Sequence, residues 1–215
     1  MTKKAFKKSQ PKSGYFVAIS FPGAHEAAIK YLDKGEFQLA ANMLEVLVEL
    51  EPEKMDPKYH LGFCYWELER HSEAIIQLEI VVKERPKIAL GWETLARVYY
   101  AAGHTLLALS HMARAVVLDP DKSFARLMYA VFLRRSGDDV AAIEQLREAS
   151  SKPPDDGQAL YLLANTLERL PFAKGRSEAA LHYSTVAKRW PGTQWGAWAA
   201  LDLLELSRAE HAEQV

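Results

Sequence analysis

WETLARVYYAAGHTLLALSHMARAVVLDP, residues 92–120, reads as a helix, a turn, a second helix and a stop. Gly103 stands between two stretches with apolar residues at three- and four-residue steps, the period of an amphipathic helix. A helix ending in a left-handed residue needs no side chain there, so glycine suits the turn. Pro120 closes the stretch, because proline lacks the amide donor and crowds the preceding turn.

The same pattern recurs along the chain. Prolines at Pro52, Pro86, Pro120, Pro154 and Pro191 are separated by 34, 34, 34 and 37 residues, and so are Ala40, Ala74, Ala108, Ala142 and Ala179. A third ladder, Tyr31, Tyr65, Tyr99, Leu133 and Leu167, keeps step without a jump, which places three extra residues between Leu167 and Ala179. Small residues recur at Ala28, Gly62, Ala96, Ala130 and Ala164, marking close helix crossings. Enlarging Ala108 or Ala142 should cost about 1–3 kcal/mol through overpacking. In the second unit, Leu61, Gly62 and Tyr65 form one apolar stripe and Ala74, Leu78 and Val81 the next; no stretch alternates over several units, so a sheet is not expected. A period of this length marks stacked helical hairpins, each stabilised by its neighbours.

Trp92, Leu95, Ala96, Tyr99, Gly103, Ala108, Met112, Ala115 and Pro120 together resemble the tetratricopeptide repeat. The likeness extends through Tyr31, Gly35, Phe37, Ala40 and Leu44, through Tyr129, Ala130, Gly137 and Ala142, and through Leu163, Ala164, Ala179 and Pro191. It covers residues 21–191 and implies an all-α, right-handed α-solenoid of about five hairpins plus a C-terminal capping helix. The expected units are 24–53, 54–87, 88–121, 122–155 and 156–191, with a capping helix and tail over 192–215.

Charge and composition narrow the partners. The chain has 27 Lys and Arg against 28 Asp and Glu, which offers no bulk electrostatic case for nucleic acid. Five lysines precede the first acid at Glu26, so residues 1–14 read as a disordered basic arm. The start lacks the apolar run of a secretory signal, no run of 18 apolar residues offers a membrane span, and the lone Cys64 fits a reducing interior. Cytoplasmic location is the expectation. Residues 15–23 contain the apolar run Tyr15–Phe21, expected to dock on the array's own surface or on a second chain.

Thr193 is placed to cap a last helix reaching about Arg208, with Trp195, Trp198, Leu201, Leu203, Leu204 and Leu206 spread around most of its circumference. Covering the end of the stack is the first expectation. A residual patch pairing two chains, through Trp195 and Trp198 or through residues 15–21, is the competing one.

Function is sought on the arc of each first helix opposite the packing stripe. In unit two that arc carries Asp56, Tyr59, His60, Phe63, Trp66 and Glu67, against a core arc of Lys58, Leu61, Gly62 and Tyr65. The equivalent positions hold Leu90, Glu93, Thr94, Arg97 and Tyr100 in unit three, and Phe124, Leu127, Met128, Val131, Arg134 and Arg135 in unit four. The resemblance implies that these arcs line a concave groove. Aromatic residues and arginine anchor interfaces, because they bury large area with few rotors or offer planar hydrogen bonding. Tyr59, His60, Phe63, Trp66, Arg97, Tyr100, Phe124, Leu127, Met128 and Arg134 are therefore the candidate peptide-binding residues. Family members that grip acidic chaperone C-termini use Lys, Asn and Arg on this arc; His25, Ile29, His60, Leu90 and Thr94 here argue against that clamp.

Nothing points to catalysis. There is no glycine-rich phosphate loop, no His-Glu-x-x-His pair and no paired cysteines, and His104 and His111 form no ligand spacing with Cys64. Asp138 and Asp139, after Gly137, suit a helix start. No enzyme activity, cofactor or metal is expected. The sequence reads as a non-catalytic adaptor or scaffold holding a peptide or helix in its groove. A chaperone-like carrier for a secreted or membrane-complex subunit, and a basic-armed peripheral factor on membrane or nucleic acid, are the alternatives.

Overall fold

The helix stops fall where the prolines put them. α2 (Phe37–Leu50), α4 (His71–Glu84), α6 (Thr105–Leu118) and α10 (Ala173–Arg189) each end two residues before Pro52, Pro86, Pro120 and Pro191. The computed structural model describes residues 23–152, 157–171 and 173–213, so Pro154, the basic arm and the run Tyr15–Phe21 lie outside the described residues. Among those described there are eleven α-helices and no strand. The remaining helices are α1 (Ala24–Asp33), α3 (Met55–Glu67), α5 (Ala89–Ala101), α7 (Ser123–Ser136), α8 (Asp139–Ser150), α9 (Gln158–Glu168) and α11 (Gln194–Glu213). Each packs chiefly against its immediate neighbours in the chain, giving five consecutive hairpins and a final helix.

The turn inside each hairpin is built alike. Gly35, Gly103 and Gly137 are left-handed, with φ of 74°, 83° and 89°. The amide of the next residue reaches back to the tyrosine ladder: Glu36 N donates to Tyr31 O at 2.9 Å, His104 N to Tyr99 O at 2.8 Å and Asp138 N to Leu133 O at 3.0 Å. This six-to-one bond satisfies a carbonyl the helix end would otherwise leave open. Unit two makes the same turn with Glu69 at φ 59°, the one non-glycine residue at positive φ among those described.

Unit five cannot make it. Pro171 occupies the place of Gly137 one period on, and proline's φ is locked near −65°. The three extra residues are absorbed instead mainly at the start of α10, which has 17 residues where α2, α4 and α6 have 14. Ala179 consequently stands seventh in its helix, whereas Ala40, Ala74, Ala108 and Ala142 stand fourth. Gly175, in this added turn, lies so close to α9 that a Cβ there would meet Leu167 O at 2.7 Å.

The small-residue ladders are the crossing points. Ala28, Ala96, Ala130 and Ala164 are fully buried, as are Ala40, Ala74, Ala108, Ala142 and Ala179. A Cβ on Gly62 would sit 2.7 Å from Leu78 Cγ, so this ladder faces the second helix of its own hairpin. The core arc of α3 is buried throughout, at Lys58, Leu61, Gly62 and Tyr65. Even the buried Lys58 has a repeated task. Its ammonium donates to Pro52 O, Trp92 Nε1 to Pro86 O at 3.0 Å and Arg126 Nε to Pro120 O at 3.0 Å, so the closing prolines' carbonyls are met by side chains six residues on. The apolar core falls into two clusters divided at α7: Ala125 and Phe132 belong to the N-terminal one, and Leu127, Ala130 and Leu133 to the C-terminal one.

Both expected helix starts are capped. Asp138 accepts a hydrogen bond from Ala141 N at 3.0 Å, and Thr193 Oγ1 one from Gly196 N at 3.1 Å, opening α8 and α11. α11 runs beyond Arg208 to Glu213, burying Ala199 and Leu206 with Leu203 and Trp195 packed beside them. Trp198, Leu201 and Leu204 remain 45%, 59% and 55% exposed.

Candidate functional site

First helices sit side by side, and the arc opposite the packing stripe forms a ladder of contacts between units. His25 Nε2 lies 3.1 Å from His60 Nδ1, and the Tyr59 hydroxyl 3.1 Å from Thr94 Oγ1. The Arg97 guanidinium lies 4.3 Å from the Trp66 ring and 5.8 Å from that of Phe124, so it spans the first helices of units two, three and four. Arg135 lies 5.2 Å from the Tyr100 ring, and Arg134 Nη2 donates to Asn165 Oδ1 at 2.6 Å.

The ten candidate residues separate by their surroundings. Phe124 is the most open, at 40% exposure. Phe63, Trp66, Arg97, Tyr100 and Met128 are half-buried. Phe63 packs edge-on against Trp66 at 5.6 Å and against Phe37 at 6.3 Å. Tyr100 is backed by a parallel stack on Phe132 at 4.1 Å, which holds one ring face fixed. Tyr59 is half-buried, and burial pushes its phenol up from the ordinary value, so it serves as a neutral hydrogen-bonding group. His60 is engaged by His25 and by Asp56 O at 2.9 Å. Burial, with the neighbouring His25, holds its imidazole below the usual range, favouring the neutral ring.

Leu127 departs from expectation. It is 6% exposed and belongs to the core cluster of units four and five, so it offers no open surface. Its ladder of Tyr59, Glu93, Leu127 and Tyr161 lies in the seam between successive first helices, where Glu93 is likewise buried and pairs with Lys122 at 2.8 Å. Arg134 is committed in part as well. Its Nη2 holds Asn165 while its Nε is buried without a partner, and desolvation followed by nearby Arg169 lowers its guanidinium from the ordinary value.

Charge neutralisation is uneven along the ladder. Arg70 is paired with Glu73, Arg85 with Asp56, Arg147 with Glu178 and Arg169 with Asp139. Among the described residues, Arg97 and Arg135 have no carboxylate within ion-pairing distance, and both rest on aromatic rings. A guanidinium on an aromatic shelf keeps in-plane donors for a carboxylate, carbonyl or phosphate, although Arg135 directs its Nη1 to the Tyr100 hydroxyl at 3.5 Å. The periodic reading of the arc located Arg97 and missed the support of Tyr100 by Phe132. Phe132 shares a period with Cys64, Val98 and Thr166, all fully buried, and that recurrence marks a core position.

No group of three or more His, Cys, Asp and Glu side chains that could hold a metal ion exists among the described residues. No described helix is long and apolar enough to cross a membrane. Cys64 is buried, and desolvation pushes its thiol up to about 12.

One family model matches the chain. Its sequence profile, described as tetratricopeptide repeat, matches residues 25–87 and 93–156. No curated protein matches. Among solved structures, MamA from Desulfovibrio magneticus RS-1 is 19% identical with a TM-score of 0.71, over 80% of this chain and 94% of that one. Another MamA crystal structure is 20% identical with a TM-score of 0.68, covering 75% and 92%. YrrB, described as a TPR protein with an unusual peptide-binding site, is 20% identical with a TM-score of 0.67, covering 82% and 90%. At these identities the solved structures speak for the fold alone, and the profile match over more than half the chain speaks for descent. The 34-residue ladders, the repeated turn and the profile agree that the chain belongs to the tetratricopeptide repeat family.

Proposed function

We propose that the chain is a non-catalytic adaptor that holds an extended or helical segment of another protein along the first helices of units two to four. The observation carrying this reading is the Arg97 ledge: a guanidinium between Trp66 and Phe124 with no carboxylate partner among the described residues. Phe63, Trp66, Tyr100, Phe124 and Met128 would supply contact area, Tyr59 a hydrogen bond, and Arg97 with Arg135 the orientation of an acidic or carbonyl group. Family membership supports a protein or peptide partner, and repeats of this kind offer an extended binding surface. Leu127 is left out of the binding set because it is buried, and His60 and Arg134 are given supporting places because their neighbours already engage them.

The test uses a peptide selected from a random display library against the immobilised protein, labelled and followed by fluorescence anisotropy. A Phe63→Ala, Tyr100→Ala, Met128→Ala triple variant, shown to be folded by circular dichroism, is expected to lose at least about tenfold in affinity, as anchor residues do. A matching triple on second helices, Leu39→Ala, Ile76→Ala, Leu106→Ala, is expected to bind as wild type. Equal binding by both variants, or loss only in the second-helix variant, would overturn the assignment.

A further inference from the structure

α11 stands in the register of a first helix. Shifting α9 by 37 residues, the interval from Pro154 to Pro191, carries Leu163, Ala164 and Leu167 onto Ala200, Leu201 and Leu204. In α9 these three positions are 2%, 0% and 3% exposed, whereas Leu201 and Leu204 are 59% and 55% exposed. The Gly62 ladder, to which Leu201 corresponds, faces the second helix of its own hairpin. α11 therefore opens a sixth unit with no second helix among the described residues, and the face such a helix would cover stays bare. Trp198, 45% exposed and in ring contact with Tyr161 and Trp195, borders this face toward the N-terminus of α11.

The residues on the face say what covers it. Every earlier unit has alanine or glycine where α11 has Leu201, so a helix cannot approach there as closely as the second helices do. Leucine suits the wider spacing of paired helices with side chains meeting at the centre. We propose that the occupant is α11 of a second copy of this chain, laid antiparallel about a two-fold axis passing near Leu201. That arrangement brings Leu201 onto its own counterpart and seats Trp198 against Leu204 of the other copy, at both ends of the contact. It also sets the charges well. Glu205, exposed on the same face, lands beside Ala197 in the first turn of the other α11, where the positive end of the helix dipole favours an anion. Arg208 falls opposite Gln194. A parallel pair would instead set Glu205 against Glu205 and Arg208 against Arg208. The contact is self-complementary, as a two-fold interface must be.

Three large side chains, each about half exposed, bury less than the roughly 1,200–2,000 Å² of a stable complex. The dimer is therefore reversible and concentration-dependent. This surface is separate from the Arg97 ledge, so the two readings stand or fall independently.

Cysteine placed on the axis tests the geometry. Cys64 is buried, so in the folded protein an introduced exposed thiol is the one open to oxidation among the described residues. Leu201→Cys is expected to form a disulfide-linked dimer much faster than the control variants Leu39→Cys and Leu106→Cys, whose sites are 47% and 81% exposed on α2 and α6. Analytical ultracentrifugation of the unmodified chain should show a monomer–dimer equilibrium at micromolar concentrations. Leu204→Glu should abolish it while leaving the melting curve unchanged, since that side chain is half exposed. A chain that stays monomeric at several hundred micromolar, a dimer undisturbed by Leu204→Glu, or Leu201→Cys cross-linking no faster than the controls would overturn the proposal.

Discussion

Glu69 takes the place that glycine holds in three other units, and the difference can be measured. Its φ of 59° lies in the left-handed region with 74° at Gly35, 83° at Gly103 and 89° at Gly137. A side chain there brings Cβ against the following carbonyl, at a cost of about 1–2 kcal/mol for an L-residue. Glycine removes that cost but gives the unfolded chain more freedom, worth about 0.5–1 kcal/mol in the opposite direction. The exposed Glu69 side chain makes no hydrogen bond or ion pair among the described residues, so replacing it forfeits no contact. Glu69→Gly should therefore stabilise by about 0.5–1 kcal/mol, read as a higher urea midpoint followed by circular dichroism. Glu69→Ala, which keeps a Cβ, should not reproduce the gain. Gly103→Ala introduces the same strain and should destabilise by about 1 kcal/mol. A Glu69→Gly midpoint at or below wild type, or a neutral Gly103→Ala, would refute the argument that a six-to-one helix stop governs this turn.

Leu127 and Phe124 separate stability from binding: Leu127→Ala should cost about 2–5 kcal/mol in a denaturation series, as core truncations do, while Phe124→Ala should change the midpoint little. Gly196→Ala should loosen the C-terminal helix, because a Cβ there would meet Trp190 O at 2.0 Å; hydrogen exchange in α11 would report it, and unchanged protection would refute the tight crossing. Stability should fall as pH drops below the ordinary histidine range, because His60 is lowered by burial and by His25, and His111 by burial. The unfolded chain then binds protons the folded chain resists, so the contribution is complete above the unfolded pKa of about 6.5 and is lost beneath it. Urea midpoints at pH 7.5 and 5.5 should differ less in a His60→Gln, His111→Gln variant than in wild type. An Ellman assay should find Cys64 unreactive until denaturant is added, since its thiol is buried and raised to about 12; rapid native reaction would contradict the packing.

Much of the architecture was legible because its causes are local. Proline stops a helix wherever it stands, glycine adopts positive φ more cheaply than other residues, and a helical stripe shows as spacing, so the five hairpins and most of their turns could be read from residue ladders. Thr193 was readable as a cap, and Asp138 as part of a helix start, for the same reason. The functional arc was only partly legible. Periodicity separates the two sides of a helix, yet it cannot say which residues on the outer side are taken up by the next unit, and so Leu127 read as surface while Phe132 was overlooked.

What the amino-acid order determines by itself is the repeat: unit length, helix ends, crossing points, and the family they resemble. Each depends on contacts within one hairpin or with its neighbour, where sequence separation is small and the chemistry of one residue decides. Tertiary structure alone decides how the three extra residues are accommodated, as added length in α10 that packs through Gly175 against α9. It alone decides which arginines are neutralised and which, at Arg97 and Arg135, remain available. It also decides that the last helix keeps one apolar face bare. These outcomes turn on distances between groups about one repeat apart or more, and side-chain neutralisation and burial are properties of the assembled stack.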